Sequence, residues 1–355
     1  MEFDDLLLKR SRDCPIHVHI YEYEVLEDRD DDEANEIIMA LMPHIHRVSS
    51  LSIKLESEPP ITSILTAWLE HGSENLAKQL SIDSPRNSIP FYYIPGTIDV
   101  SGKRENMLRS ADILHLGYID FGGDSSVYRN LTDLRLMNKM SDHDNAIWLP
   151  HLYDILHKNP RLVTLKLVWL TVVPDEEWAQ PPRITFDHLR VLGLDHKRPG
   201  DLKHVLSLIA LPDSPNELSI GISIDTREAV DMITEFLGHK SPSILPQTLV
   251  LAQENLEEVL PDASRLMLPE EPILGSIPDL VLYGCIVSGD TVKCLVALYN
   301  FEALWLDTSA TITDDEDMAD IQIVLSERYP ELKWHSTNTF PEGPDPCRPI
   351  LDMFD

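Results

Sequence analysis

Basic residues are scarce in this sequence: 29 lysines and arginines stand against 60 acids, for a formal net charge of −31. A surface of that sign repels nucleic-acid phosphates and anionic lipid, so neither is an expected partner, whereas a basic protein would be attracted. Cysteine is scarce as well. Cys14, Cys285, Cys294 and Cys347 contain no Cys-x-x-Cys pair and are too few for a disulfide scaffold, which predicts a reducing compartment, cytoplasmic or nuclear. No run of about 18 apolar residues occurs, so no membrane-spanning helix is expected. The opening MEFDDLLLKRSRDCPIHVHI starts acidic and has no long apolar core, so no secretory signal is predicted. What remains is 43% hydrophobic and 25% charged over 355 residues, a globular composition with ample material for a core.

Within that material one phrase recurs. NPRLVTLKLVWL (159–170) bends at Pro160 and then places leucines at 162, 165 and 167. The same leucine-spacer-leucine pattern appears in VSSLSI (48–53), QLSI (79–82), ILHL (113–116), LTDLRL (131–136), LRVLGL (189–194), ELSI (217–220), TLVL (248–251), IPDLVL (277–282), FEALWL (301–306) and YPELKW (329–334). The first residues of the final pairs fall at 51, 80, 114, 134, 165, 192, 218, 249, 280, 304 and 332. Their mean spacing, about 28 residues, lies in the range of leucine-rich repeats, although single intervals vary.

Helical stretches separate the phrases. EANEIIMALM (33–42), ITSILTAWLEH (61–71), AIWLPHLYDILHK (146–158), DLKHVLSLIAL (201–211), REAVDMITEFLGH (227–239) and TVKCLVALY (291–299) carry apolar residues three and four apart, with prolines near several of their ends. ITDDEDMADIQIVLSERYP (312–330) adds a capping box, Thr313 and Glu316. Where a proline stands at a helix end, it stops the helix or biases the residue before it. The chain then enters a short strand whose paired leucines, two apart, face one side. One strand and one helix cannot hide their apolar faces alone, but a stack of about eleven such units can. The expectation is an α/β leucine-rich-repeat solenoid, a horseshoe with parallel strands on its concave face and helices on its convex face. Residues 1–30 form an N-terminal capping segment, 31–340 the solenoid and 341–355 a C-terminal tail.

Two late units are more specific. LVLYGCIVSGD (280–290) has Leu280, Leu282 and Cys285; LWLDTSATITDDED (304–317) has Leu304, Leu306 and Ser309, followed by Ile312-Thr313-Asp314. With Tyr329-Pro330-Glu331-Leu332 downstream, they resemble the cysteine-containing leucine-rich repeats of F-box proteins, in which a cysteine or asparagine follows the second leucine by three residues. The opening LLLKRSRDCPIHVHIYEY, its acidic gap and the helix leading to HIHRVSSLSI resemble the region after the F-box in fungal F-box-like proteins. The resemblance covers residues 6 to 336 and is to the repeat region; the F-box itself is not expected within this chain. It implies a non-catalytic, substrate-recognising part of a ubiquitin-ligase receptor. A Skp-type adaptor is implied as a partner only if an F-box lies upstream. The alternative is a stand-alone repeat scaffold or inhibitor.

In each repeat the residue between the paired leucines should point to the concave face, because strand side chains alternate. Read in order these are Ser52, Ser81, His115, Arg135, Lys166, Gly193, Ser219, Val250, Val281, Trp305 and Lys333. His115, Arg135 and Lys166 make a basic patch; Val250, Val281 and Trp305, with Tyr283 beside them, make an apolar stripe. Together they predict a protein partner with an acidic portion and an apolar anchor.

Other motifs read as structure. GGDSS (122–126) lacks the placement of a lipase serine, and GYIDFGGD (117–124) lacks the Lys-Ser/Thr of a phosphate loop. The histidines of HVH (17–19) and HIH (44–46) would hold a metal only if they met in space. The acidic run EDRDDDE (27–33) has no calcium-loop spacing. No cofactor, metal or catalytic residue is expected.

Overall fold

A computed structural model describes residues 13–21, 31–55, 58–74, 76–83, 103–117, 127–137, 146–175, 178, 182–195, 198–211, 218–223, 227–238, 246–252, 277–283, 286–298, 302–307, 311–312 and 318–337. The chain divides into two compact units. The first comprises Met1–Leu162 with Leu170–Ala179, and the second Val163–Trp169 with Gln180–Asp355.

The first unit is a parallel ladder of β1 (Ile16–Tyr21), β2 (Val48–Lys54), β3 (Gln79–Asp83), β4 (Ile113–Gly117) and β5 (Asp133–Met137), side by side in chain order. Helices α1 (Asp31–Leu41), α2 (Glu58–His71) and α3 (Lys103–Leu108) connect its first four strands, and α4 (Leu149–His157) follows β5. The predicted leucine pairs stack across it: Leu51 aligns with Leu80, Leu114 with Leu134, and Leu116 with Leu136. All are buried, as are Ile61, Leu65 and Trp68 of α2, whose apolar stripe shares the core with the strands. The indole Nε1 of Trp68 donates to the Val48 carbonyl, which ties the helix to the strand it follows. The segment predicted as a cap supplies the edge strand, with Val18 and Ile20 in register with Leu51 and Ile53.

The second unit repeats the arrangement. Its ladder runs β7 (Thr164–Val168), β10 (Val191–Asp195), β12 (Ser219–Ser223), β13 (Thr248–Ala252), β14 (Asp279–Tyr283), β16 (Ala303–Asp307) and β18 (Lys333–Thr337), all parallel. Among the described residues the helices between them are α5 (Pro199–Leu208), α6 (Arg227–Gly238), α7 (Gly289–Leu298) and α8 (Met318–Arg328). The helix predicted over 312–330 is thus shorter, and Thr311–Ile312 is instead a strand, β17, paired with β15 (Ile286–Val287). Two more short parallel pairs lie outside the ladders. In the first unit β6 (Ile147–Trp148) pairs with β8 (Val172–Val173), and in the second β9 (Ile184–Thr185) pairs with β11 (Ile209–Ala210).

Two predicted registers shift by two residues. Ile220, not Leu218, aligns with Leu192 and Leu249, and Trp334, not Leu332, aligns with Leu304. The second unit's anchors are therefore 165, 192, 220, 249, 280, 304 and 334. The correction evens the spacing around β12, because equal crossovers bring successive strands into line.

Backbone hydrogen bonds continue each ladder into the turn before the strands. The amides of Lys78, Asp112 and Thr132 donate to the carbonyls of Ser49, Lys78 and Asp112. In the second unit Arg190 donates to Val163, Ser219 to Arg190, Gln247 to Leu218, Asp279 to Gln247 and Glu302 to Pro278. Pro278 has no amide proton to offer, and the next residue, Asp279, donates in its place. The turns thereby keep these backbone polar groups satisfied.

Asn159 closes the same kind of turn with a side chain. It is fully buried; its Nδ2 donates to the carbonyls of Tyr128 and Ile155 (3.1 and 2.7 Å), and its Oδ1 accepts from the Leu131 amide at 2.8 Å. The residue that precedes Pro160 thus joins the end of α4 to the turn that opens β5. Among the described residues no helix is long and apolar enough to cross a membrane.

Candidate partner-binding face

Each ladder has a second face, lined by the residues between the buried leucines. In the first unit the central row runs His19, Ser52, Ser81, His115 and Arg135, one residue per strand. Successive members stand about 4.8 Å apart, the spacing of hydrogen-bonded strands. The row is solvent-accessible: His19 is exposed and the other four are half-buried. At its start the ring of His19 stacks on Tyr21, with centroids 5.9 Å apart.

The predicted basic patch takes a different form there. Asp133, two residues before Arg135 on β5, lies between the two cationic positions. Its Oδ1 is 3.1 Å from His115 Nε2, and Arg135 embraces it with Nε at 3.1 Å from Oδ1 and Nη2 at 3.0 Å from Oδ2. Burial alone would raise the pKa of Asp133, but the contacts and charges of His115 and Arg135 outweigh it and hold the carboxyl at about 2. His115 and Arg135 therefore present an ion-paired cluster, not a bare cationic surface. The fork of Arg135 is held in place before any partner arrives. Lys54 and Asp83 pair on the neighbouring row at 3.5 Å, and their greater exposure makes that contact weak.

In the second unit the corresponding row is Lys166, Gly193, Gly221, Val250, Val281, Trp305 and His335. Gly221 and His335 replace the predicted Ser219 and Lys333, as the register shift requires. Here the expected solvent-facing positions are closed. Lys166 is 1% exposed, and Val250 and Val281 are 0% exposed. Ser219 and Thr248, on the row beside them, are buried too, and the Thr248 hydroxyl has no hydrogen-bond partner among the described residues. Trp305 is half-buried. Tyr283 ends β14, but its side chain lies outside the description, as do Cys285 and Ser309.

The predicted residues therefore separate by unit: His115 and Arg135 meet in one cluster, and Val250, Val281 and Trp305 align on neighbouring strands of the other ladder. Lys166 belongs to the second row and is not part of an exposed basic patch. Asp133 was missed by the sequence reading although a signal existed, since residues two apart on a strand share a face and LTDLRL spaces aspartate and arginine that way. His44 precedes and His46 lies within a turn of 3-10 helix, Ile45–Arg47, whereas His17 and His19 lie on a strand. Among the described residues no group of three or more His, Cys, Asp or Glu side chains is placed to hold a metal.

No protein-family model matches the chain, and no curated protein matches it in sequence.

Proposed function

We propose that the chain is a non-catalytic protein-recognition module, a leucine-rich-repeat solenoid that binds its partner along the exposed strand face of the first unit. The observation that carries the reading is the aligned row His19–Ser52–Ser81–His115–Arg135. Five parallel strands present five side chains at a fixed pitch on a rigid sheet, an arrangement suited to an extended stretch of another protein. The Asp133 clamp sets the orientation of Arg135, whose remaining donors suit a carboxylate or a peptide carbonyl. Together with the repeat phrases and the resemblance of the late units, this supports a more specific role, that of the substrate-binding repeat region of an F-box-like ubiquitin-ligase receptor in the cytoplasm or nucleus.

The test is affinity capture from the native cell with the full chain and with His115→Ala/Arg135→Glu. A recognition module working through this face retains its folded melting profile in the variant and loses its principal partner at least tenfold. Equal capture by both would refute the assignment of the face. A Skp-type adaptor among the captured proteins supports the ligase role. Its absence, with a specific partner still present, favours the stand-alone scaffold.

A further inference from the structure

The strand face of the first unit departs in charge from the chain that carries it. Rows in register on either side of His19–Ser52–Ser81–His115–Arg135 add His17 and Asp133 on one flank, and Tyr21, Lys54 and Asp83 on the other. The whole chain has a formal net charge of −31, yet on this face two cations balance two carboxylates. They also touch, Lys54 with Asp83 at 3.5 Å and Arg135 with Asp133 at 3.0 Å. The groups left to change charge near neutrality are histidines, the side chains suited to that range. His17 and His19 are exposed, and the His115 side chain is 20% exposed. Neutral imidazoles leave the face balanced; three imidazoliums give it three positive charges with no carboxylate to offset them.

The surroundings of two of these rings bear on proton uptake. Asp133 is held ionised, so its oxygens can only accept. The His115 Nε2 that lies 3.1 Å from Oδ1 therefore carries the hydrogen of the neutral ring, and Nδ1 is left to take the next proton. Attraction between charge partners is mutual, so the carboxylate that His115 helps to keep ionised favours the imidazolium in turn. Arg135, aligned with His115 on the next strand, opposes that charge, but its own charge is already engaged by Asp133. On β1 the His19 Nδ1 lies 3.2 Å from the Tyr21 hydroxyl, which can accept from an imidazolium as readily as it donates to a neutral ring.

We infer that these histidines make the face a proton-dependent reader of acidic sequence: uptake of protons at His17, His19 and His115 turns a balanced surface cationic, and an extended aspartate- or glutamate-rich segment of another protein docks there more tightly as pH falls from about 8 to about 5.5. The inference rests on the recognition role proposed for this face and adds the partner's chemistry and its control. Carboxylates of such a segment stay ionised over that range, so the attraction grows while the ligand's charge is constant. Linkage makes the effect reciprocal: a ligand that pairs with imidazolium raises the proton affinity of the ring by the same factor.

The test titrates the full chain with a rhodamine-labelled, end-capped peptide of alternating aspartate and alanine, at fixed ionic strength, and follows anisotropy at pH 8 and pH 5.5. The wild-type dissociation constant should fall at least about tenfold between the two. In His17→Gln/His19→Gln/His115→Gln it should change by less than about threefold, whereas His151→Gln, exposed on α4, should follow the wild type. Histidines elsewhere are common to the wild type and the triple variant, so the difference belongs to the face. An asparagine version of the peptide should bind weakly at both pH values. Equal pH dependence in the wild type and the triple variant, no binding of the aspartate peptide at pH 5.5, or equal binding of the asparagine peptide would each overturn the inference. Should the triple variant fail to fold, the imidazole resonances of the wild-type chain give a second reading. Saturating aspartate peptide should move the His115 titration upward, and a titration that does not move overturns the inference equally. The recognition role fails by a different result, retention of the cellular partner by His115→Ala/Arg135→Glu. Loss of that partner in the variant, with equal capture by the wild type at pH 8 and pH 5.5, would leave the docking face standing and overturn its proton dependence.

Discussion

The two ladders use the same strand phrase and bury it differently. In β3 and β5 of the first unit, buried and half-buried residues alternate strictly; in β7 and β10 of the second, all five residues are buried. Alternation is the signature of a sheet with one face in the core and one in water, whereas continuous burial marks a sheet covered on both sides. Composition differs along the central rows: His19, Ser52, Ser81, His115 and Arg135 in the first unit, against Lys166, Gly193, Gly221, Val250, Val281 and Trp305 in the second. Identical leucine spacing therefore says where the core is, and leaves open whether anything lies opposite: Lys166 sits between two leucines and is buried.

The sharpest way to break the comparison is to place the same charge at matching positions. Val250→Asp introduces a carboxylate where the wild-type side chain has no exposure, and the expected loss of stability is about 3–5 kcal/mol, the scale of an uncompensated buried charge. Ser81→Asp occupies the equivalent row beside His115, where water and an imidazole can solvate it, and should change stability by less than about 0.5 kcal/mol. Urea unfolding of both variants decides. A small loss for Val250→Asp would mean that the cover lifts away readily, and equal losses would abolish the distinction between the faces.

A second, smaller effect tests how the first unit holds successive repeats together. Asn159→Ala leaves the Leu131 amide and the Tyr128 and Ile155 carbonyls without the bonds the asparagine supplies. The expected cost is about 2–4 kcal/mol, set by buried polar groups left unsatisfied. Asn159→Asp should recover only part of it, because a carboxylate keeps the acceptor and loses both donors. A loss below about 1 kcal/mol for Asn159→Ala in urea unfolding would show that the turn is held by its backbone bonds alone.

These residues also mark where the sequence was legible. The repeat period, the strand direction and most helices follow from local patterns, because leucines two apart and apolar residues three or four apart each suit one geometry. Register was ambiguous where the pattern was too rich. LSIGIS offers Leu218, Ile220 and Ile222 in strict alternation, so any two could serve as the pair, and only the neighbouring strands choose Ile220 and Ile222. Trp334 was passed over as an anchor for the same reason. Burial of the second face was illegible, since Val250 looks the same in TLVL whether covered or bare. Asn159 read as an ordinary helix end before proline. Its role depends on Tyr128 and Leu131, about thirty residues upstream, and no local rule reports a partner at that distance.

The smallest expected effect concerns charge on the accessible face. The carboxyl of Asp133 titrates at about 2 in the folded chain, against about 3.9 for an unperturbed aspartate. A group whose folded pKa lies below its unfolded value stabilises the fold fully above the unfolded value and loses that contribution as pH falls to the folded one. The window is therefore pH 4 down to pH 2. The difference corresponds to roughly 2 kcal/mol at neutral pH, reduced in practice by the solvent that reaches Arg135. Comparing wild type with Asp133→Asn by urea unfolding at pH 6 and again at pH 2.5 isolates it: the wild-type advantage should be present at pH 6 and mostly gone at pH 2.5. An advantage that persists undiminished at pH 2.5 would mean that Asp133 acts through packing or its neutral hydrogen bonds, and the first unit's face would then be organised by shape instead of charge.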